Sequence, residues 1–248
     1  MRSVILLGVA MLILLPLCGC YTDEPPKPYG VERPLVYPGN RVAVWAVAPA
    51  INLSGHREVD PILQADLVFQ EVQEVRGITG IPVNRVAQVY AGLGIRQVES
   101  PQQAAQVCDL LGADALVVPT VTAYDPYSPP KMAASLLLFR RTPNSALQAA
   151  DQRDPAHAGN VSALGEMKQA VGIFDASDGS VRAAMQAFAA GRSDPNGPMA
   201  EREYFLSMDA YTGFVYHSLI ADLLGVPREP AEGANSSSST GAHGRSGR

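Results

Sequence analysis

Apolar residues run almost unbroken from Val4 to Leu17, behind a lone positive charge at Arg2. A run of that length falls short of the ~20 residues a helix needs to cross a bilayer. The pattern then changes twice. Tyr21 to Asn40 is polar and holds Pro25, Pro26, Pro28, Pro34 and Pro38. Proline fixes φ and removes backbone donors, so this stretch predicts a semi-extended spacer. From Arg41 onward the chain shows the periods of a folded core.

Arg41 to Pro49 (RVAVWAVAP) is apolar on both faces over Val42–Val47, which predicts a strand covered on both sides. Asp60-Pro61 predicts a helix start, with Ile62, Ala65, Phe69 and Val72 on its buried face and an end near Gly77. Ile78 to Val83 predicts a short edge strand. Asn84 is expected to cap a helix Arg85–Ala91, and Ser100-Pro101 to open another that runs to Gly112. Asp114 to Tyr124 (DALVVPTVTAY) predicts a second strong strand, with Pro119 placing it at an edge or a bulge. A proline-stiffened turn, Asp125 to Pro130, leads to a third strand at Met132–Arg140. Thr142 to Glu166 predicts a long polar loop, and Lys168 to Asp175 a fourth strong strand. Asp178 or Ser177 caps an alanine-rich helix, Ser180–Ala190. Glu201 to Leu224 predicts one long amphipathic helix whose apolar face carries Met208, Tyr211, Val215, Leu219 and Leu223, stopped by Gly225 and Pro227. The fold class expected is α/β: a single domain with a mixed four- or five-stranded sheet flanked by helices and a long C-terminal amphipathic helix. Its bounds are 41–226, with a low-complexity tail at 227–248.

Composition narrows the function. The chain of 248 residues is 47% apolar and 17% charged, with a net charge of −5. It has no basic stripe, so no nucleic-acid partner is expected. Of three cysteines, Cys18 and Cys20 lie near the start, and Cys108 sits alone in an apolar helical pattern as a small buried hydrophobe. The spacings of His56, His157, His217 and His243 match no metal motif. Gly92-Leu93-Gly94 begins like a dinucleotide fingerprint, but Gln97 stands at its last glycine. Gly191-Arg192-Ser193-Asp194-Pro195 begins like a nucleophile elbow, but Pro195 replaces its closing glycine. Asp175 and Asp178 read as turn and cap residues. No catalytic residue, metal or cofactor is expected, and the chain is read as no enzyme.

The start of the chain resembles the signal peptide and lipobox of bacterial lipoproteins. Arg2 is the positive region, Val4–Leu17 the apolar region, and Leu17-Cys18-Gly19-Cys20 the processing site. The resemblance implies removal of residues 1–19, with Leu17 and Gly19 flanking the cleavage, and acylation of Cys20. Residues 20–40 are then a lipidated cysteine and linker, and the bilayer is a partner through acyl chains on Cys20. Two or more chains hold a protein on a membrane stably where one does not. Tyr21, in place of an aspartate, points to the outer membrane and its periplasmic face.

A second resemblance rests on the first strand with its small-residue loop and long helix, then on Leu111-Gly112-Ala113-Asp114 and Thr120-Val121-Thr122-Ala123-Tyr124. Over residues 41–140 this looks like an envelope lipoprotein superfamily that includes the curli secretion lipoprotein CsgG, the penicillin-binding-protein activator LpoB and the N-terminal domain of TolB. It implies a helix-packed mixed sheet that acts by docking to envelope proteins. The turn Tyr124–Lys131 departs from those members, and its Tyr124 and Tyr127 are the candidate contact residues. Two alternatives stand beside this one. One is a tethered envelope hydrolase. The other is a CsgG-like secretion-pore component, disfavoured because Met132–Phe139 and Ala170–Phe174 are short and apolar on both faces.

Overall fold

The structure, a computed structural model, describes residues 35–141, 164–190, 192–193 and 198–226. Cys20, Leu17 and Gly19, the linker to residue 34, His157, His243 and the tail from residue 227 lie outside them.

The elements in chain order are β1 (Ala43–Val47), β2 (Ile51–Asn52), α1 (Pro61–Gln73), β3 (Ile78–Ile81), α2 (Val83–Leu93), α3 (Pro101–Leu111), β4 (Ala115–Asp125), β5 (Lys131–Arg141), β6 (Leu164–Asp175), α4 (Gly179–Ala189), α5 (Glu203–Leu206) and α6 (Met208–Leu224). They form a mixed α/β domain. The sheet has the order β3-β1-β4-β5-β6, and β2 adds to β4 beyond the end of β1. Pairs β1–β3, β1–β4 and β2–β4 are parallel, while β4–β5 and β5–β6 are antiparallel. The six strands exceed the expected four or five by β2, which is too short to leave a periodic signal.

The caps follow local chemistry. Asp60 accepts from the Ile62 and Leu63 amides, and Ser100 from Gln103. Asp178 accepts from Ser180 and Val181. Gly112 closes α3 at φ 66, a left-handed turn that favours glycine. The predicted Asn84 cap is corrected: α2 starts at Val83 behind Pro82, whose fixed φ of −70 presets the turn without a side-chain bond.

Pro119 is corrected too. It lies in an interior strand, between β5 and the β1/β2 side. Val117 and Val121 accept from Ala48 and Leu53 on that side, so alternation points the missing donor of Pro119 at Ala48–Ala50. There the neighbouring chain leaves the sheet between β1 and β2, and no ladder bond is lost. The register shift of β4 falls later, between Val121 and Ala123.

Two cores flank the sheet. One lies under α1, α4 and α6 and holds Trp45, Val68, Leu136, Phe174, Tyr211, Phe214 and Leu219. The other lies under α2 and α3 and holds Val86, Tyr90, Val107, Cys108, Leu116, Val118 and Phe139. The helix Glu201–Leu224 is broken at Ser207, which is extended and caps α6 through the Ala210 amide. The apolar face of α6 is also wider than predicted. Thr212, Phe214, Tyr216 and Ile220 are buried as well, because the helix is flanked by the sheet, α1 and α4. Gly172 lets it approach β6: a Cβ there would lie 2.4 Å from the Phe174 ring and 3.4 Å from Leu219. On α1 the buried face is Gln64, Ala65, Val68, Glu71 and Val72, while Ile62 is exposed. The two polar members of that face have partners on α6.

Strands β4, β5 and β6 have 11, 11 and 12 residues. Short length is therefore no argument against the pore alternative. The argument that remains is burial: Met132, Ala134, Leu136 and Leu138 of β5, and Ala170 and Phe174 of β6, point into the core. Residues 142–163 of the expected polar loop lie outside the described residues, and Leu164–Glu166 belong to β6.

Candidate functional site

The ends of the sheet differ in what they carry. At the lower end, where β1, β3 and β4 begin, the chain arrives through Leu35–Tyr37. Val36 bridges to Arg76, and the Tyr37 ring meets Trp45 edge-on at 6.1 Å. The Tyr37 hydroxyl accepts from Arg140 at 2.8 Å. Asp114 staples this end. Its carboxylate accepts two bonds from Arg41, at 2.6 and 3.1 Å, and one from the Val44 amide at 2.9 Å. Its own amide donates to the Val44 carbonyl, and its carbonyl accepts from the Arg141 amide, so β1, β4 and β5 are pinned together. The Arg41 bond and the Val44 amide hold the carboxyl below the usual range against the opposing effect of burial.

At the upper end the sheet is incompletely covered. Register places side chains in rows across the α2/α3 face. Leu116–Phe139–Met167 and Val118–Leu137–Gln169 form two rows, and α2 and α3 cover them on β4 and β5. The next row is Ile51–Thr120–Ser135–Val171, followed by Ala133–Ile173 with Leu53 and Thr122 at the β2 side. Ile51 packs partly against the second core, and Thr120, Ser135 and Ala133 are half-buried, but the borders of these last rows are open. Val171 is 65% exposed, Ile173 82% and Leu53 65%. Small residues on β4 and β5 thus form a floor between two apolar borders.

The two candidate tyrosines part company at this end. Tyr127 is 81% exposed on the turn, its amide bonded to Asp125 at 3.1 Å. Tyr124 turns to the other face, packs partly against the α1/α6 core and lies 6.4 Å from the His56 ring. Burial, then the charges of Asp209 and Glu58, raise its pKa. Asp175 is bonded to Lys131 at 2.9 Å and to Ser177, which hold its pKa at about 2. Asp178 is spent on capping. Cys108 is buried, and burial pushes its thiol up to about 12, which suits a packing residue and not a nucleophile.

Sequence reasoning missed one constellation. Arg192, just after α4, reaches Glu71 on α1 at 3.1 and 3.2 Å and also bonds Glu74. The His217 Nδ1 on α6 lies 3.1 Å from Glu71 and 3.3 Å from Arg192. The guanidinium stacks 3.8 Å over the Phe188 ring. Among the described residues no three His, Cys, Asp or Glu side chains are grouped to hold a metal ion, and here the guanidinium is the cation between the carboxylates. The available signal was Glu71 itself, in register with buried Gln64, Val68 and Val72. A carboxylate on a core-facing stripe needs a partner.

The fold and these two ends define an α/β domain with one uncovered sheet quarter and a single buried ion cluster among the described residues. No protein-family model matches the chain, and no curated protein matches it. It is similar to solved structures. The lipoprotein GNA1162 from Neisseria meningitidis has 15% identity and a TM-score of 0.36, over 55% of this chain and 84% of that one. The LpoB C-terminal domain from Salmonella enterica has 9% identity and a TM-score of 0.36, over 56% and 86%. The PelC dodecamer from Paraburkholderia phytofirmans has 8% identity and a TM-score of 0.35, over 77% and 95%.

Proposed function

We propose that this chain is a lipid-anchored lipoprotein of the bacterial cell envelope, held by acyl chains on Cys20 at the periplasmic face of the outer membrane, that works by binding another envelope protein and not by catalysis. The observation that carries the reading is the sequence Leu17-Cys18-Gly19-Cys20 directly behind the apolar run. Its support from the fold is directional. The chain enters the domain at the lower end of the sheet, whereas Leu53, Val171, Ile173 and Tyr127 are exposed at the upper end. An apolar surface on an envelope protein is the occupant this quarter fits, since uncovered apolar borders gain most from contact with a like surface.

Cys20→Ser tests the anchor. The expected result is an unprocessed precursor, and normal cleavage with membrane retention would overturn the reading. For the binding face, a photo-crosslinking residue is placed in turn at Ile173, Tyr127 and Val36. One discrete adduct from Ile173 and Tyr127 but not from Val36 is expected. Equal adducts from all three, or turnover of an envelope substrate by the purified chain, would refute it.

A further inference from the structure

The Glu71, Glu74, Arg192 and His217 cluster joins three elements distant in sequence. Glu71 and Glu74 come from α1, Arg192 from the end of α4 and His217 from α6. Arg192 and Glu71 keep only 10% and 8% of their side-chain surface in contact with solvent. The end of α4 depends on this contact. Ala190 is extended, and Arg192 and Ser193 fold back on the Ala189 carbonyl. From there the guanidinium reaches across Phe188, whose ring also meets Tyr204, Phe214 and His217. Beneath lie Met185 and Ala189, both fully buried. Arg192 is therefore the strap that holds this helix end on the α1–α6 pair.

Charge makes the strap responsive. The groups that face it are Glu71 and Glu74 from α1, Arg192 itself, His217 from α6, and Tyr204 with Glu203 from α5. Two carboxylates share one guanidinium, so the cluster, half-open at Glu74, keeps one surplus negative charge. A single proton on Glu74 removes the surplus. Arg192 then keeps Glu71 as its charged partner, with the His217 ring beside both.

We propose that these four residues form a proton-tightened latch, which holds the α4 end more firmly on α1 and α6 as the surrounding pH falls. The sign agrees with the environment of Glu74, whose pKa is raised by burial and then by the Glu71 charge, against Arg192 and His217. A carboxyl raised in the fold stabilises it most below the ordinary value of 4.5, and that contribution is lost as pH rises through the raised one.

Hydrogen exchange of the backbone amides of α4, corrected for the chemical rate, reads the latch at about pH 7.5 and about pH 4.5. Protection is expected to rise several-fold at the lower pH in the unmodified chain. Glu74→Gln, which removes the surplus charge and keeps the shape, is expected to show the high protection at both values. Arg192→Met is expected to show low protection at both. Protection in the unmodified chain that stays level or falls on acidification would overturn the proposal. So would a Glu74→Gln chain that keeps the full pH response.

Discussion

The contact between Gln64 and Tyr216 offers a strict test of the packing described above. The Tyr216 hydroxyl donates to Gln64 Oε1 at 2.7 Å, between residues 152 apart in sequence. Tyr216 is fully buried and Gln64 is 2% exposed. Tyr216→Phe leaves the amide oxygen without its donor, at a cost of about 1–3 kcal/mol. Gln64→Leu leaves the phenol O–H unpaired in the same place, at a similar cost. Together the two changes replace a polar pair by an apolar one of similar volume, which is close to neutral. Each single change is therefore expected to lower Tm by roughly 3–10 °C, at the 2–4 °C per kcal/mol of a chain this size. The double variant is expected to lie within a few degrees of the unmodified chain. Thermal melts followed by circular dichroism, together with urea curves of unchanged slope, measure the cycle. If the double variant loses the sum of the two single losses, α1 and α6 do not meet through this pair, and the arrangement of the first core is wrong.

Two further outcomes follow from buried titratable groups. Burial raises Tyr90, Tyr211 and Tyr216 above the ordinary phenol range, and the hydroxyls of Tyr90 and Tyr211 find no hydrogen-bond partner among the described residues. All three ionise freely only when unfolded, so their contribution is complete below about pH 10 and is lost above it, at about 1.4 kcal/mol per pH unit for each. Tyr90→Phe removes an unpaired hydroxyl; it is expected to leave Tm at neutral pH unchanged or raised and to flatten the alkaline fall, and an unaltered slope would contradict its burial. At the acid end, the lowered carboxyl of Asp114 stabilises above its unfolded value near 3.8, and this is lost as pH falls through the folded one. Asp114→Asn, whose amide oxygen can still accept from Val44 but which loses the charged pairing with Arg41, is expected to cost no more than about 1 kcal/mol at neutral pH because Arg41 is largely solvated, and to flatten the acid limb of Tm against pH.

The parts of the fold legible in the sequence were those with a local cause. Asp60, Ser100 and Asp178 announce helix starts because a cap needs only its own side chain and the next turn. The Val-rich and Leu-rich runs announce strands because their burial shows as an unbroken apolar stretch. Pro119 misled because a missing donor is harmless or costly according to what lies opposite, and the break between β1 and β2 is a tertiary fact. Gln64, Glu71 and His217 were passed over for the same reason. Each looks like an exception to a helix stripe until its partner arrives from another element. The cluster around Arg192 draws on residues 71, 74, 192 and 217, with no spacing to search for.

The same distinction separates the two tyrosines of the turn. Both sit beside prolines on a stiff segment, and local chemistry treats them alike. Strand parity does not. Tyr124 pairs with Met132 and so takes the core-facing side of β4, while Tyr127 lies beyond the last paired residue, Asp125, and is free of that alternation. Parity likewise sends Val171 and Ile173 to the face opposite Ala170 and Phe174. The helix α3 over that face reaches β6 without covering Val171 and Ile173, so these two side chains stay in solvent although their strand is as apolar as a core strand. An apolar run in the sequence identifies burial only when both faces have something to pack against. On β6 one face lacks it, and that shortfall is why a strand read as pure core carries the largest exposed apolar border of the sheet.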